Sequence, residues 1–453
     1  MSAKTVLIVT YYWPPAGGIA VQRITKFCKY LTDFGWNPII LTVDNGNFES
    51  VDESLLHDIA HIKHVYRTSS IEPHNFYNFI DGLVKRKSTN NPGNSNKLPK
   101  RSIYTTFSDY IRLNLFIPDS RIGWLFNAFR CGKRIIEEYN TDLIFSTAPP
   151  YTSHLVALKL HKHSGIPWVA DFRDPWVEST LYNTVKRLGI VKTINKRLER
   201  KVVSNATALT FTGSKLLDHY IDDSNYDFSR KAHVITNGYD PQDITAINIE
   251  SSDKFYVTYF GSLYARRYHP VCFETLSQLV KTNRDLSKNL CLRFIGNVDA
   301  EIKNALSHLL PSQNLEFHNY IPYKDAIKLL YIPQLLLLTV DNVPFNDNIT
   351  LGKVFDYLPT GNPILGVAPN HGDTAQIIHA TGTGKVFDYH DSESISSYIL
   401  EKYELWRTGR LKPMVIDLRQ YQRKYLTRRL AAIFDDVSNQ NILADANDSS
   451  ESI

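Results

Sequence analysis

The sequence predicts an α/β protein built from two doubly wound, Rossmann-like domains. Three observations predict it. A strand, a Gly-rich turn, a helix and a second strand follow one another at the start of the chain. The same alternation restarts after a break at Asn237-Gly238-Tyr239-Asp240-Pro241. The chain also has 453 residues, more than one domain usually holds.

Thr5 to Tyr11 is a short apolar run rich in β-branched residues, which predicts a buried parallel strand. Trp13-Pro14-Pro15-Ala16-Gly17-Gly18 is the turn. Val21, Ile24, Phe27, Cys28 and Leu31 recur at helical spacing, and Gly35 ends that helix. Pro38 to Val43 is the next strand, completing a β-turn-α-β unit. Lys85 to Arg101 is polar, basic and rich in Asn, Ser and Pro, which predicts a mobile loop. Ile103 to Tyr139 carries many aromatic and basic residues and reads as two helices broken at Pro118-Asp119. Strands at 142–147, 166–170, 208–212 and 233–236 alternate with helices at 153–163, 181–205 and 214–221. Beyond the break, strands are expected at 256–260, 291–295, 315–317, 334–340, 363–367 and 385–387. Helices at 270–282 and 324–331 lie among them. The expected domains are 1–237 and 238–417, followed by an amphipathic helix at 418–437 and a disordered acidic tail at 438–453. Ligands are expected at the carboxyl ends of the strands, in a cleft between the domains.

The bulk numbers narrow the function. A 43% hydrophobic and 21% charged content is that of an ordinary globular protein. A net charge of +5 suits acidic substrates or an anionic membrane surface without demanding nucleic acid. Cys28, Cys131, Cys272 and Cys291 are widely scattered, which fits neither a disulfide framework nor a metal-ligand cluster. With no apolar run long enough to span a bilayer and no leader-like start, a cytoplasmic location is expected.

Candidate site residues cluster at expected strand ends. Gly17 and Gly18 allow close approach of a ligand to the backbone ahead of a helix N-terminus. Asp171, Arg173 and Asp174 follow the strand at 166–170, where three charges are unlikely to be core and could bind acceptor hydroxyls. Arg173 pairing with Asp174 as a structural bridge is the alternative. Gly261, Ser262, Arg266 and Arg267 open the second domain. Glycine permits approach, serine can donate, and the arginine pair matches a diphosphate. Gly296 follows the next strand. Lys353 and Asp356 sit three apart ahead of a Gly361-Asn362-Pro363 turn, so they share one face near the start of a helix. Such a helix start with a Lys suits an anion, and the carboxylate suits sugar hydroxyls. His154 is weak by itself, as a lone His is more often structural.

These motifs, taken in order, resemble the retaining, two-domain (GT-B) glycosyltransferases of family 4. Pro14-Pro15-Ala16-Gly17-Gly18 with Arg23, Pro118-Asp119 with Trp124, Ser146-Thr147-Ala148-Pro149-Pro150 and Asp171-Phe172-Arg173-Asp174-Pro175-Trp176 carry the resemblance in the first half. The Gly261 loop and Lys353-Val354-Phe355-Asp356 carry it in the second. The resemblance covers about residues 4 to 435. It implies transfer of a sugar from a nucleotide-sugar to an acceptor hydroxyl with retention at the anomeric carbon, in cell-surface polysaccharide or lipopolysaccharide synthesis. Arg267 and Lys353 would stabilise the leaving diphosphate. Gly261, Ser262, Arg266, Gly296 and Asp356 would bind the donor, Asp356 through the ribose. Gly17, Gly18, Asp171, Arg173 and Asp174 would shape the acceptor side. No cofactor or metal is expected beyond the nucleotide-sugar co-substrate. A glycan or lipid-linked glycan is the expected acceptor, with a possible peripheral position at the inner face of the cytoplasmic membrane.

Two departures bear on catalysis. The family carries two glutamates separated by seven residues, and Asp356 fills the second place while the neutral Asn348 fills the first, with Asp341 and Asp347 nearby. Ser262 stands where the family often has Arg. A non-catalytic nucleotide- or glycan-binding scaffold is therefore the rival reading from another class, and a nucleotide-sugar 2-epimerase of the same fold is the other.

Overall fold

The computed structural model describes residues 3–46, 48, 50–71, 110–111, 113–177, 187–223, 227–244, 252–318, 321, 323–332 and 334–450. The expected loop at 85–101, the aromatic stretch up to 109 and the start of the helix expected from 181 lie outside them. The chain divides into two compact units, 1–212 with 220–235 and 427 onward, and 213–219 with 236–426.

The first unit holds a seven-stranded parallel sheet in the order β3-β2-β1-β4-β5-β6-β7. Its strands are β1 (Lys4–Val9), β2 (Trp36–Val43), β3 (Val65–Thr68), β4 (Leu143–Ala148), β5 (Trp168–Phe172), β6 (Ala208–Phe211) and β7 (Ala232–Val234). The helices α1 (Ile19–Leu31), α2 (Leu125–Tyr139), α3 (Thr152–Ser164), α4 (Gly189–Asn205) and α5 (Ser214–Asp223) alternate with them. β3 is an element that the sequence reading lacks. It has four residues, none fully buried, so it shows no apolar run. The central strands do show one, because Val6, Leu7, Ile8 and Val9 are buried on both faces of the sheet.

The second unit holds a six-stranded parallel sheet in the order β10-β9-β8-β11-β12-β13. Its strands are β8 (Phe255–Phe260), β9 (Leu290–Ile295), β10 (Leu315–His318), β11 (Leu335–Thr339), β12 (Ile364–Val367) and β13 (Gly384–Phe387). Its helices are α6 (Pro270–Thr282), α7 (Arg284–Asn289), α8 (Ala300–Leu309), α9 (Tyr323–Leu330), α10 (Val354–Tyr357), α11 (Asp373–Thr381) and α12 (Ser392–Arg407). Strand periodicity divides β11 between two cores. Leu335 and Leu337 pack into one cluster with Phe273 and Leu276, and Leu336 and Leu338 into another with Ile327 and Phe355. Each such leucine contributes roughly 1.5–3 kcal/mol by leaving water.

The last helix, α13, runs Arg423–Ser450. It therefore continues past Val437, where the sequence reading begins a tail, and it is not a segment of its own. From residue 427 it belongs to the first unit. Phe434 packs edge-on to Trp36 and tilted to Phe145, both at 5.4 Å between ring centres. Lys4 Nζ reaches Asp435 at 3.1 Å and Ser438 at 2.8 Å.

In both sheets the chain reverses its winding direction beside the first strand. Those points fall between β1 and β4, and between β8 and β11. Sheets of this kind bind ligands where the strand order reverses, beyond the carboxyl ends.

Candidate functional site

In the first unit, the turn after β1 leads to Gly18, the N-cap of α1. Its φ of 100° is one that side-chain-bearing residues avoid. The Gly17 N–H donates to Ser50 O at 2.9 Å, which fixes the turn. Five residues into α1, Arg23 turns inward and meets Asp171 at the end of β5. Arg23 Nε and Nη2 reach the two carboxylate oxygens at 3.1 and 2.8 Å, with both side chains 1% exposed. Arg23 also donates to Ile235 O at 2.8 Å. Thr147 and Thr210 each donate to Asp171 at 2.7 Å. Burial alone would push the Asp171 carboxyl up. The Arg23 charge and these hydrogen bonds hold it below its ordinary value.

The neighbouring charges are also architectural. Arg173 donates to the carbonyls of Ala148 at 3.1 Å, Ala20 at 3.3 Å and Pro149. Asp174 is exposed, and its carbonyl accepts from Tyr151 Oη at 3.0 Å. Trp176 stacks on Tyr151 at 4.5 Å and donates to Asn195 at 3.0 Å. Asp119, of the Pro-Asp motif, accepts from the Thr152 backbone at 2.9 Å and its hydroxyl at 2.8 Å, holding the start of α3. So the motif read as an acceptor surface is largely a core lock. Of its three charges, the structure buries Asp171 completely, turns Arg173 onto backbone carbonyls and leaves Asp174 at the surface. The expectation that three clustered charges are unlikely to be core misses Arg23, a partner 148 positions away. Its alternative, an Arg173–Asp174 bridge, is not the arrangement either. His154 is fully buried, with Nδ1 2.8 Å from Ser146 Oγ, and burial lowers its pKa to about 3.

The second unit is built differently. Gly261 follows β8 and Gly296 follows β9, with φ of 95° and 130°. A Cβ on Gly296 would lie 2.7 Å from Gly261 O, so the two loops touch backbone to backbone. Arg267, in the short turn that follows, reaches Asp341 just beyond β11. Its Nε lies 2.6 Å from Asp341 Oδ1. Tyr264 closes this arrangement. Its hydroxyl lies 3.2 and 3.1 Å from the two Asp341 oxygens, and its ring lies 4.7 Å under the guanidinium. Burial opposes the Arg267 charge, but Tyr259, Tyr264 and Asp341 outweigh it and raise its pKa. The fork of Arg267 is thereby anchored at Nε at the β8/β11 reversal point.

Lys353 completes the cluster. Its Nζ is buried and has no hydrogen-bond acceptor among the described residues. It lies 3.8 Å from the ring centre of Tyr259, and 3.7 Å from where a Cβ on Gly261 would begin. Burial first, and the Arg267 charge second, depress its pKa well below that of an ordinary lysine. The backbone at Lys353 is fixed by its neighbours. Tyr357 Oη accepts from Phe260 N at 2.9 Å and donates to Leu337 O at 3.0 Å, tying α10 to the sheet.

The structure thus brings Gly261, Gly296, Arg267 and Lys353 together. Ser262 is exposed on the same loop, and its carbonyl accepts from Tyr259 Oη at 3.0 Å. Arg266 lies on that turn, and its carbonyl accepts from Asn342 N at 3.2 Å. Asp356 lines a recess with Tyr239, Asp240, Asp243, Tyr331 and Phe355. The helix start expected at Lys353 does not form as such: α10 has four residues, with Lys353 as its N-cap, so an anion there would meet side chains rather than a helix end. Asn348 is buried, with Nδ2 unpartnered. Asp341 does not stand in for the missing glutamate, because it is committed to Arg267. The sequence reading did not select Tyr259 and Tyr264. Tyr264 stands three residues before Arg267, which is the one signal that could have found it. Phe345, 47% exposed, has a left-handed φ of 59° in the loop after β11 and marks strain there.

Residues 94–243 match the model of Glycosyltransferase Family 4. No curated protein sequence gives a significant match. Solved structures do match across nearly the whole chain. The lipopolysaccharide outer core galactosyltransferase WaaB is 12% identical, with 96% of this chain and 99% of that chain covered at a TM-score of 0.57. An E. coli trehalose-6-phosphate protein bound with UDP-2-fluoro glucose is 10% identical, with 98% of both chains covered at a TM-score of 0.54. A Listeria monocytogenes protein assigned as a UDP-N-acetylglucosamine 2-epimerase is 10% identical, with 95% of both chains covered at a TM-score of 0.50. At such identities the likeness is one of fold, and the fold is that of the GT-B glycosyltransferases. Among the described residues, no helix is long and apolar enough to cross a membrane.

Proposed function

We propose that this protein is a retaining glycosyltransferase that moves a sugar from a nucleoside diphosphate-sugar to an acceptor hydroxyl. One observation carries the reading. Lys353 presents a buried, acceptor-less Nζ beside Gly261 at the β8/β11 reversal point. A protein that places an unpartnered basic group there is built to receive an anion. Arg267, anchored through Nε, offers a second set of donors.

In the proposed step, the bond from the anomeric carbon to the diphosphate oxygen breaks. A new bond to the acceptor oxygen forms on the same face, and the acceptor proton passes to the leaving diphosphate. Lys353 and Arg267 stabilise the charge that develops on that diphosphate, which is where electrostatic catalysis has most effect. Gly261 and Gly296 let the backbone approach it. Asp356, in its recess, is assigned to the ribose. Of the acceptor-side candidates, Gly17 is packed against Ser50 and Asp52, Gly18 borders open space, and Asp174 is exposed.

The fold shared with a lipopolysaccharide galactosyltransferase supports a cell-surface glycan as acceptor. Leu115, Phe126, Leu188 and Ile190 are exposed, and Asn114 accepts from Leu188 N at 2.8 Å, which brings the first and third of these segments together. With Arg130 over Phe126 at 5.4 Å, they support contact with an anionic membrane surface. The neutral, buried Asn348 favours the second reading, a binding protein without turnover.

Calorimetric titration with UDP, GDP, dTDP and their sugar conjugates tests the proposal. One nucleotide should bind tightly to the wild type and at least tenfold more weakly to Lys353→Ala. Binding of none would overturn the donor site. Binding without sugar transfer to any glycan acceptor would favour the scaffold reading.

A further inference from the structure

The second unit contains a buried lysine whose amine has no hydrogen-bond partner among the described residues. We infer that Lys353 rests as an uncharged amine and takes up one proton from solvent when a diphosphate binds, so that donor binding is coupled to protonation. This rests on the proposed donor site and states how that site recognises charge.

Lys353 is 7% exposed, and its Nζ is buried with no acceptor among the described residues. It lies over the ring face of Tyr259, on β8, at 3.8 Å from the ring centre. A ring face attracts an ammonium less than burial repels it, so the contact does not keep the proton on. The other charges around it are unequal. Arg267, on the turn after β8, is a permanent cation and repels a second one. Asp341, beyond β11, would favour the ammonium, but it is bonded to Arg267 Nε and Tyr264. Asp356, on the same short helix, also favours the ammonium, but it faces the recess with Tyr239 and Tyr331. Tyr357, on that helix, is occupied by Phe260 N and Leu337 O. Burial and Arg267 outweigh the two carboxylates, in keeping with the depressed pKa of this lysine.

A diphosphate placed against Gly261 would bring negative oxygens to Nζ. The same amine would then be favoured as an ammonium, and the proton would come from bulk solvent. The site therefore holds one fixed charge, on Arg267, and one that appears only with the ligand. Arginine at 353 could not behave this way, because its charge does not titrate in this range.

The test is calorimetry at pH 8, where a nucleotide diphosphate is already fully ionised, in two buffers of very different ionisation enthalpy. The probes are UDP, GDP and dTDP on the full chain. Wild type should take up close to one proton per bound nucleotide. Its Kd should weaken by up to tenfold per pH unit as the pH is raised through the range where uptake is seen. Lys353→Arg should bind with no uptake and a flat pH profile. Binding to wild type with no proton uptake and a flat profile would overturn the inference while leaving the donor site standing. If no nucleotide binds, the donor site fails, and sulfate, whose charge is fixed, becomes the probe. Uptake with sulfate would still support the behaviour of Lys353, and its absence would overturn it.

Discussion

Arg23 with Asp171, and Arg267 with Lys353, are two buried charge clusters at the strand ends of similar sheets, and they are wired in opposite ways. In the first, each carboxylate oxygen of Asp171 receives one bond from Arg23 and one from a threonine. In the second, the arginine is anchored and the lysine amine has no acceptor among the described residues. A buried charge whose bonds are complete holds the fold. A buried charge that lacks them destabilises the fold and has to be explained by what it receives. The two motifs look equally functional in sequence, and only their hydrogen bonds separate them.

Arg23→Met should have the largest effect. It leaves Asp171 buried without its cation and should cost the first unit about 3–5 kcal/mol by chemical denaturation. Adding Asp171→Leu should recover part of that loss, since the uncompensated charge has gone. A single variant as stable as wild type would refute the lock. Lys353→Met should act in the other direction. The unfolded chain binds a proton at this lysine with ordinary affinity and the folded chain does not, so ionisation opposes folding below the unfolded pKa. Removing it should raise stability by about 1–3 kcal/mol near pH 7, with the gain fading as the pH approaches 10. Nucleotide binding should be lost in the same variant. Near pH 7 the smallest effect comes from His154, which stays neutral in the fold down to about pH 3. Below its ordinary pKa near 6.5 the unfolded chain takes the proton instead, so stability should fall with pH by at most about 1.4 kcal/mol per unit in that window. His154→Gln should flatten that part of the profile, as read from urea midpoints between pH 4 and 7.

Much of this was legible because buried parallel strands are written as continuous apolar runs. Twelve of the strands could be placed from residues such as Leu335–Leu338, and the break at Asn237 separated the two series. β3 was not legible, since Val65, Tyr66 and Thr68 are only half-buried at a sheet edge. Lys353 was legible as a candidate from its place before a Gly-Asn-Pro turn. Its isolation was not, because that depends on Asp341 being bonded to Arg267 across the sheet's reversal point. The same blindness to distant partners made Asp171 look available. Charges near in sequence suggest chemistry, but their bonding is decided by residues far along the chain.

The return of α13 to the first unit has a consequence for how the protein is made. Trp36 and Phe145 emerge early from the ribosome, yet their partner Phe434 emerges near the end. At ordinary synthesis rates the stretch between Ile235 and Thr427 takes on the order of 10–40 s. Through that interval the nascent first unit carries an uncovered aromatic surface. It is a natural client for chaperones, and premature termination before 427 would leave it permanently incomplete.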